Sequence, residues 1–523
     1  MANDREKEDL ARQPADERKI LLGAMITRRS LLELAGLTVA SSVFPRMLVM
    51  GQSAPEGAKA AAEGATHAAD AISPTMARLS AYMSEAGGRA LPDEVVEKTK
   101  QHILDTFAAI ISGSELPPGN AALSFAKAYG GKEVSTVVAS NILCGPIEAA
   151  MVNGVLAHSD ETDDSNGPSH SHPGCAVVPA ALAAGEQFGI GGAQFLRSVA
   201  LGYDVGCRFT ITLGAQKYEN ESHLSTHSIS PIFGAAAAAG CAANLNVQQM
   251  RLLIGYAAQQ CSGLTSWRRD SEHVQKAFVF GGMTARSGTT SALLVHAGWT
   301  GVEDILSGKD NFFEAYGPKA DPTGLVDKLG ERYEIARTDI KKWTVGSPIQ
   351  AVLDAMVILQ QRKPFNADQV KQVVVKLAPP ETITVNNREM PDICAQHMAA
   401  VMLLDKTVTF KSAHDQARMK DPAVLRERAK VQLVPDEALS KFLPTRAAKV
   451  EITLADGTQL SEQVDAVRGT AKNPMGKDEV LAKARDLITP VLGESKCADL
   501  IEKISNLENV KDIRELRKSL QRS

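Results

Sequence analysis

Histidines and carboxylates crowd one short stretch of this chain, His158-Ser159-Asp160-Glu161-Thr162-Asp163-Asp164, followed by His170-Ser171-His172-Pro173-Gly174. Four acids and three imidazoles fall within fifteen residues. Histidine titrates near neutrality and can take or give a proton at physiological pH. A neighbouring carboxylate fixes its tautomer and raises its basicity, so an Asp–His pair suits removal of a proton from carbon or protonation of a leaving group. His172, oriented by Asp163 or Glu161, is the expected proton-transfer residue. His158 and Asp164 are expected to bind substrate. Two other readings fit the residue types. Imidazole and carboxylate are also metal ligands, but there is no HExxH pattern and no four-residue helical spacing, so no metal is assigned. Asp and Ser also cap helices and shape turns, which explains any one of these acids better than the whole set.

Two later segments add positive charge. His227, in Ser225-Thr226-His227-Ser228, precedes an alanine-rich run and should sit near a helix N-terminus, where backbone N–H groups attract anions. Lys276 stands just before Gly281-Gly282, and glycine allows close backbone approach there. Lys276 is expected to hold a substrate carboxylate, with Arg268 and Arg388 as further carboxylate ligands. Each residue alone is weak; their combination carries the expectation.

The elements that must position these groups are mostly helical up to Trp343. Apolar residues from Val95 to Ile111 recur at helical spacing behind Pro92-Asp93-Glu94. Further helices are expected over 146–158, 179–188, 193–213, 233–244 and 283–297. The acidic stretch then becomes a loop between two apolar helices, the kind of place where reactive side chains sit on a rigid scaffold. Near Gly346 the pattern changes. Residues 370–377 and 449–454 read as strands, the second followed by an Asp456-Gly457 hairpin turn. Helices are expected at 348–361, 393–404 and 422–428, and again at 477–492 and 498–520. The expected fold is mainly α. It comprises a large helical domain, 73–343 plus 473–523, and a smaller α+β lid domain, 345–470.

Composition excludes several function classes. Of 523 residues, 57 are basic and 61 acidic, a net charge of −4 that gives no basic field for nucleic acid or an anionic membrane. The seven cysteines are scattered, without a CxxC pair, which argues against a zinc ribbon, an iron–sulfur cluster or a disulfide framework. At the N-terminus, Thr27-Arg28-Arg29-Ser30-Leu31-Leu32 resembles a twin-arginine export signal. A short apolar run to Phe44 and an Ala58-Lys59-Ala60 site follow it. Residues 1–60 are therefore expected to be a leader to the periplasm; a cytoplasmic enzyme with an N-terminal extension is the alternative.

Taken together, His158…Glu161-Thr162-Asp163-Asp164…His172-Pro173, His227…Gly234-Ala235-Ala236, Lys276…Gly282…Ala285…Gly288 and Gly298-Trp299-Thr300-Gly301 resemble the MmgE/PrpD family. That family includes 2-methylcitrate dehydratases and cis-aconitate decarboxylases. The resemblance covers nearly the whole chain after about residue 75. It implies a helical domain with an α+β lid, a homodimer and no metal or organic cofactor. It also implies an interdomain site lined by His172, the acidic run, His227 and Lys276. Glu161 stands where the family's acidic run begins with Asp, and Asn386-Asn387-Arg388-Glu389-Met390-Pro391 offers no tyrosine where some decarboxylases have one. These departures bear on which acid is the substrate, cis-aconitate in particular. The leading expectation is a hydro-lyase that eliminates water from a small hydroxylated di- or tricarboxylate such as 2-methylcitrate. An epimerase or decarboxylase of the same family, a non-catalytic carboxylate-binding protein and a metallohydrolase are the alternatives.

Overall fold

The computed structural model describes residues 71–522; the expected leader, 1–60, lies outside them. Helix α1 (Asp93–Gly113) opens with two acids in its first turn, where the helix dipole favours them, and buries Val95, Thr99, His102, Ile103 and Phe107. Helices α2 (Pro146–Ala157) and α3 (Gly174–Phe188) flank the acidic loop. Helix α4 (Gly192–Leu213) crosses α5 (Thr226–Ala242) closely. A Cβ on Gly206 would lie 2.6 Å from the Ser230 carbonyl oxygen, so only glycine allows this approach. Every residue of α5 is buried, as its alanine-rich composition requires, with α3, α4 and α6 (Met283–His296) packed around it.

Two helices start earlier than the sequence suggests. Pro179, the first residue of one expected helix, and Pro231, two residues ahead of the other, lie inside α3 and α5. A proline five residues into a helix still removes only one hydrogen bond near the start, so tertiary packing overrides the local signal. The stretch read as one helix over 498–520 is broken into Glu494–Ser505, short 3-10 turns and Arg517–Leu520. Asn506 and Asp512 lie at the breaks, where their side chains bond the Glu502 carbonyl and the Arg514 N–H in competition with the backbone.

A second hydrophobic core gathers residues between Trp343 and Val467 around a four-stranded sheet. In it β1 (Val370–Leu377) pairs in parallel with β2 (Val431–Pro435) and antiparallel with β3 (Ala448–Leu454), which pairs with β4 (Gln459–Val464). Burial alternates along β3, as one covered face demands. Helix α7 (Ser347–Arg362) packs on β3 and β4, and α8 (Ala395–Asp405) packs on α7 and β2. Helix α9 (Lys477–Leu492) then returns to α1 in the first core. The fold is mainly α, with a smaller α+β domain. Among the described residues no helix is long and apolar enough to cross a membrane.

Candidate active site

The acidic loop is stretched between two fixed points. His158 caps the C-terminus of α2, and the Gly174 N–H, the first of α3, donates to Asp164 Oδ1 at 3.0 Å. Within it the four carboxylates go to four different places. Asp163 lies between two imidazoles, with His158 Nδ1 3.0 Å from one oxygen and His172 Nδ1 3.1 Å from the other. Glu161 instead pairs with the ammonium of Lys276, across more than a hundred residues of sequence. Asp160 meets His414 of the α+β domain at 2.9 Å. Asp164 turns into the helical core, 2.7 Å from His102 Nδ1 and bonded to the Tyr203 hydroxyl. Of the two acids that spacing left open as the partner of His172, the structure therefore selects Asp163.

A cavity of about 440 Å³ lies over this loop, with walls from both cores. Glu161, His172, His227, Arg268, Lys276 and Arg388 all line it, so six of the expected site residues share one space. Asp163 is fully buried behind His172. His158 and Asp164 are not in the wall, which corrects their expected role in substrate binding. His158 is held back by Asp163 and by the Phe280 ring stacked on it at 4.3 Å, and Asp164 is consumed by α3 and Tyr203.

The cavity also exposes groups that spacing did not single out. Lys341 is buried, with its ammonium 2.8 Å from the Glu161 carbonyl oxygen and 3.6 Å from Asp163 Oδ1. It sits at the junction of the two cores, and that position is its only sequence signal. His273 lies three residues before Lys276 and has a left-handed backbone, φ 63°. Arg446 and Arg468 reach the wall from the α+β domain. Glu219 lies behind the wall, 3.4 Å from His170 Nε2 and 2.5 Å from Arg268 Nη2. Nothing marks it in sequence, because it lies on a short polar helix (Ala215–Ser222) that reads as solvent-facing.

Phe280 centres this arrangement. It belongs to a π-helical turn, Phe278–Gly282, a wide turn of the kind that often re-aims side chains at functional sites. The turn presses against α2, so a Cβ on Gly154 would lie 2.3 Å from the Gly281 carbonyl oxygen. Its phenyl ring stacks on His227 at 4.4 Å and meets Trp267 edge-on.

Charge is balanced inside this space. Burial alone would raise Asp163, but His158, His172 and Lys341 outweigh it and hold its carboxyl well below the usual carboxylate range. Glu161 is held low in the same way, by Lys276, Lys341 and His273 against its burial. Burial pulls His172 down to about 4, and Lys341 adds to this while Asp163 opposes it. His227 and His273 are also pushed well below the ordinary imidazole range, chiefly by burial. His172, His227 and His273 are thus neutral at neutral pH. With Nδ1 on Asp163, His172 keeps Nε2 as the nitrogen available to a bound molecule. Three trios, His158–Asp163–Cys175, His158–Glu161–His273 and His170–Glu219–His227, bring possible metal ligands together. The carboxylates already carry cationic partners, namely Lys341 near Asp163, Lys276 on Glu161 and Arg268 on Glu219. A divalent ion would have to displace or adjoin an ammonium or guanidinium group.

Residues 77–324 match the MmgE/PrpD N-terminal domain and residues 343–509 the MmgE/PrpD C-terminal domain. A cis-aconitate decarboxylase of Homo sapiens is 26% identical over 445 residues, covering 81% of this chain and 89% of that protein. One of Aspergillus terreus is 24% identical over 461 residues, covering 81% and 91%. The cis-aconitate decarboxylase-like protein oryM of Aspergillus oryzae is 23% identical over 475 residues, covering 84% and 96%. With both family domains matched in order over the helical and α+β parts, this chain belongs to the MmgE/PrpD family.

Proposed function

We propose that this chain is a lyase that removes water from a small hydroxylated di- or tricarboxylate, 2-methylcitrate being the type of substrate. The observation that carries the reading is that a neutral His172, seated on Asp163, faces the same cavity as Lys276, Lys341, Arg268, Arg388, Arg446 and Arg468. All but Arg388 already meet a carboxylate of the chain, but a guanidinium has five donors and an ammonium three, so the set still suits a molecule with several carboxylates. An unprotonated imidazole suits removal of a proton from carbon. In the proposed step His172 Nε2 takes the proton next to a carboxylate. Lys276 and Lys341 carry the negative charge that develops on that carboxylate. The imidazolium, stabilised by Asp163, hands its proton to the departing hydroxyl, so water leaves and the ring returns to its neutral form.

A second reading, decarboxylation with His172 in the return of a proton to carbon, is favoured by the names of the relatives. NMR in D₂O with 2-methylcitrate, citrate and cis-aconitate separates the two. Loss of the hydroxyl with deuterium exchange at the adjacent carbon is expected for the first, and release of CO₂ for the second. His172→Gln should cripple turnover with the fold intact; near-normal turnover of the right acid by that variant would refute the role. Export through the twin-arginine leader and assembly as a homodimer belong to the same proposal. Deleting residues 1–60 should abolish periplasmic location, and light scattering should give twice the chain mass.

A further inference from the structure

The loop that carries Glu161 and Asp163 is also tied to the α+β domain by a cluster that does not touch the cavity. His414 follows the turn Phe410–Ala413, and its Nε2 lies 2.9 Å from Asp160 Oδ2, with both side chains nearly buried. The contact is an angled ion pair rather than a linear hydrogen bond. On the other side of the ring, Nδ1 lies 2.7 Å from the Phe410 carbonyl oxygen. A carbonyl can only accept, so Nδ1 carries a proton. A carboxylate beside Nε2 favours a proton there as well, and the ring is then an imidazolium. Asp160 is fixed in turn by the backbone N–H of Thr162 at 3.0 Å and by its hydroxyl. Asp392 is buried in the turn Pro391–Ile393, and its Oδ2 meets no donor among the described residues. Its neighbours Met390 and Ile393 line the cavity, whereas Asp160, His414 and Asp392 do not. Phe410 packs against the helical core and Ala413 belongs to the α+β core, so the segment straddles the junction.

We propose that Asp160, His414 and Asp392 form a positioning cluster that clamps the α+β domain onto the acidic loop and so sets the Glu161–Lys276 pair for the reaction. The clamp rests on the lyase reading only for its effect on turnover. Asp160 is one residue from Glu161, and Asp392 is flanked by cavity wall, so releasing His414 frees both faces of the site together. The charged groups facing His414 are Asp160 from the acidic loop and Asp392 from the α+β domain, with Glu161 and Lys276 acting on Asp392. Burial would lower His414, but Asp160 above all, then Asp392 and the Phe410 carbonyl, outweigh it and push it up to about 9. Burial pushes Asp392 up to about 7. Because the His414 value is raised by folding, its stabilising contribution is complete below the ordinary imidazole range and is lost as pH rises through about 9.

The test uses the full chain and compares wild type with His414→Gln, Asp160→Asn and His414→Lys. The readouts are kcat, KM and amide hydrogen exchange of residues 386–416, corrected for the intrinsic rate at each pH. His414→Gln should lower kcat/KM about tenfold, mainly through kcat, the factor given by ~1.4 kcal/mol of lost positioning. It should speed exchange in that segment at neutral pH. Wild type should show the same acceleration as pH rises through about 9, while His414→Gln shows no further change. Asp160→Asn should behave as His414→Gln does, and His414→Lys, which keeps the cation, should restore part of kcat. Wild-type kinetics and exchange in His414→Gln would overturn the proposal. So would flat wild-type exchange across that pH range, which remains decisive if the variant fails to fold. If no carboxylate is turned over yet exchange responds as described, the clamp stands and the lyase reading falls.

Discussion

Replacing Asp163 by Asn tests how His172 is made a base. The carboxylate now accepts from both His158 and His172. An amide offers one oxygen and one NH₂, so one of the two rings must turn its Nδ1 into an acceptor and move its proton to Nε2. If that ring is His172, the nitrogen facing the cavity no longer has a lone pair. Even with the correct tautomer, the charge that stabilises the imidazolium is gone. At 3.1 Å, with an effective dielectric constant of about 20, that interaction is about 5 kcal/mol. Lys341, 3.6 Å from the same oxygen, already offsets part of it. The expected loss in kcat is therefore roughly 10²–10⁴-fold, the range that general acid–base catalysis contributes. KM should change far less, because Asp163 is not in the cavity wall. Steady-state kinetics and the rate of deuterium exchange into substrate should fall together, with circular dichroism unchanged. A variant within about threefold of wild-type kcat, a small fraction of that range, would show that Asp163 does not govern proton transfer.

Further predictions follow from the same geometry. Lys276→Met should lower kcat/KM by about 10²–10³, as loss of one charge-stabilising donor does. It should destabilise the fold by less than the ~3–5 kcal/mol of a broken buried pair, because Lys341 stays 3.8 Å from Glu161; unchanged kinetics would remove the lysine from the site. With His172 held near 4, kcat/KM should be flat through neutrality and, on the acidic side, fall only as pH drops toward that value, so an acidic limb in the ordinary imidazole range would contradict the assigned base. Asp164→Asn should lower the thermal midpoint and leave KM unaltered, since its partners are Gly174, His102 and Tyr203; a raised KM with unchanged stability would count against this. Gly154→Ala puts a Cβ 2.3 Å from a carbonyl oxygen and should cost at least ~1–3 kcal/mol in denaturant titration. A smaller loss would mean that α2 and the π-turn can separate freely.

Much of this was legible in the chain because it is local. The acidic loop sits between two helices that continuous apolar, alanine-rich composition marks, and 370–377 forms a strand over the range that its β-branched residues indicate. What stayed hidden depends on distant partners. Asp160, Glu161, Asp163 and Asp164 look alike in sequence. The fates of three are decided by His414, Lys276 and His102, which lie on separate elements, and that of Asp163 by His172 at the far end of the same loop. Strand β2 was not expected because it is short and mostly exposed, and only its pairing with β1 makes it a strand. Lys341 and Glu219 gave no local sign because a single charge in a polar stretch usually faces solvent.

The returning helix α9 has a consequence for the timing of assembly. Its Lys483 reaches Asp105 on α1 at 2.6 Å and donates to the Thr162 carbonyl at 3.0 Å, inside the acidic loop. The loop is made early in synthesis and the lysine that pins it is made more than three hundred residues later. During translation the helical core can gather around α5, but the histidine–carboxylate loop lacks its Lys483 tether at Thr162 until the ribosome has passed residue 483. The last tether of the loop is therefore made late in the life of this chain, and a nascent or truncated form ending in the α+β domain would leave buried Asp105 without its ammonium partner and the Thr162 carbonyl without its donor.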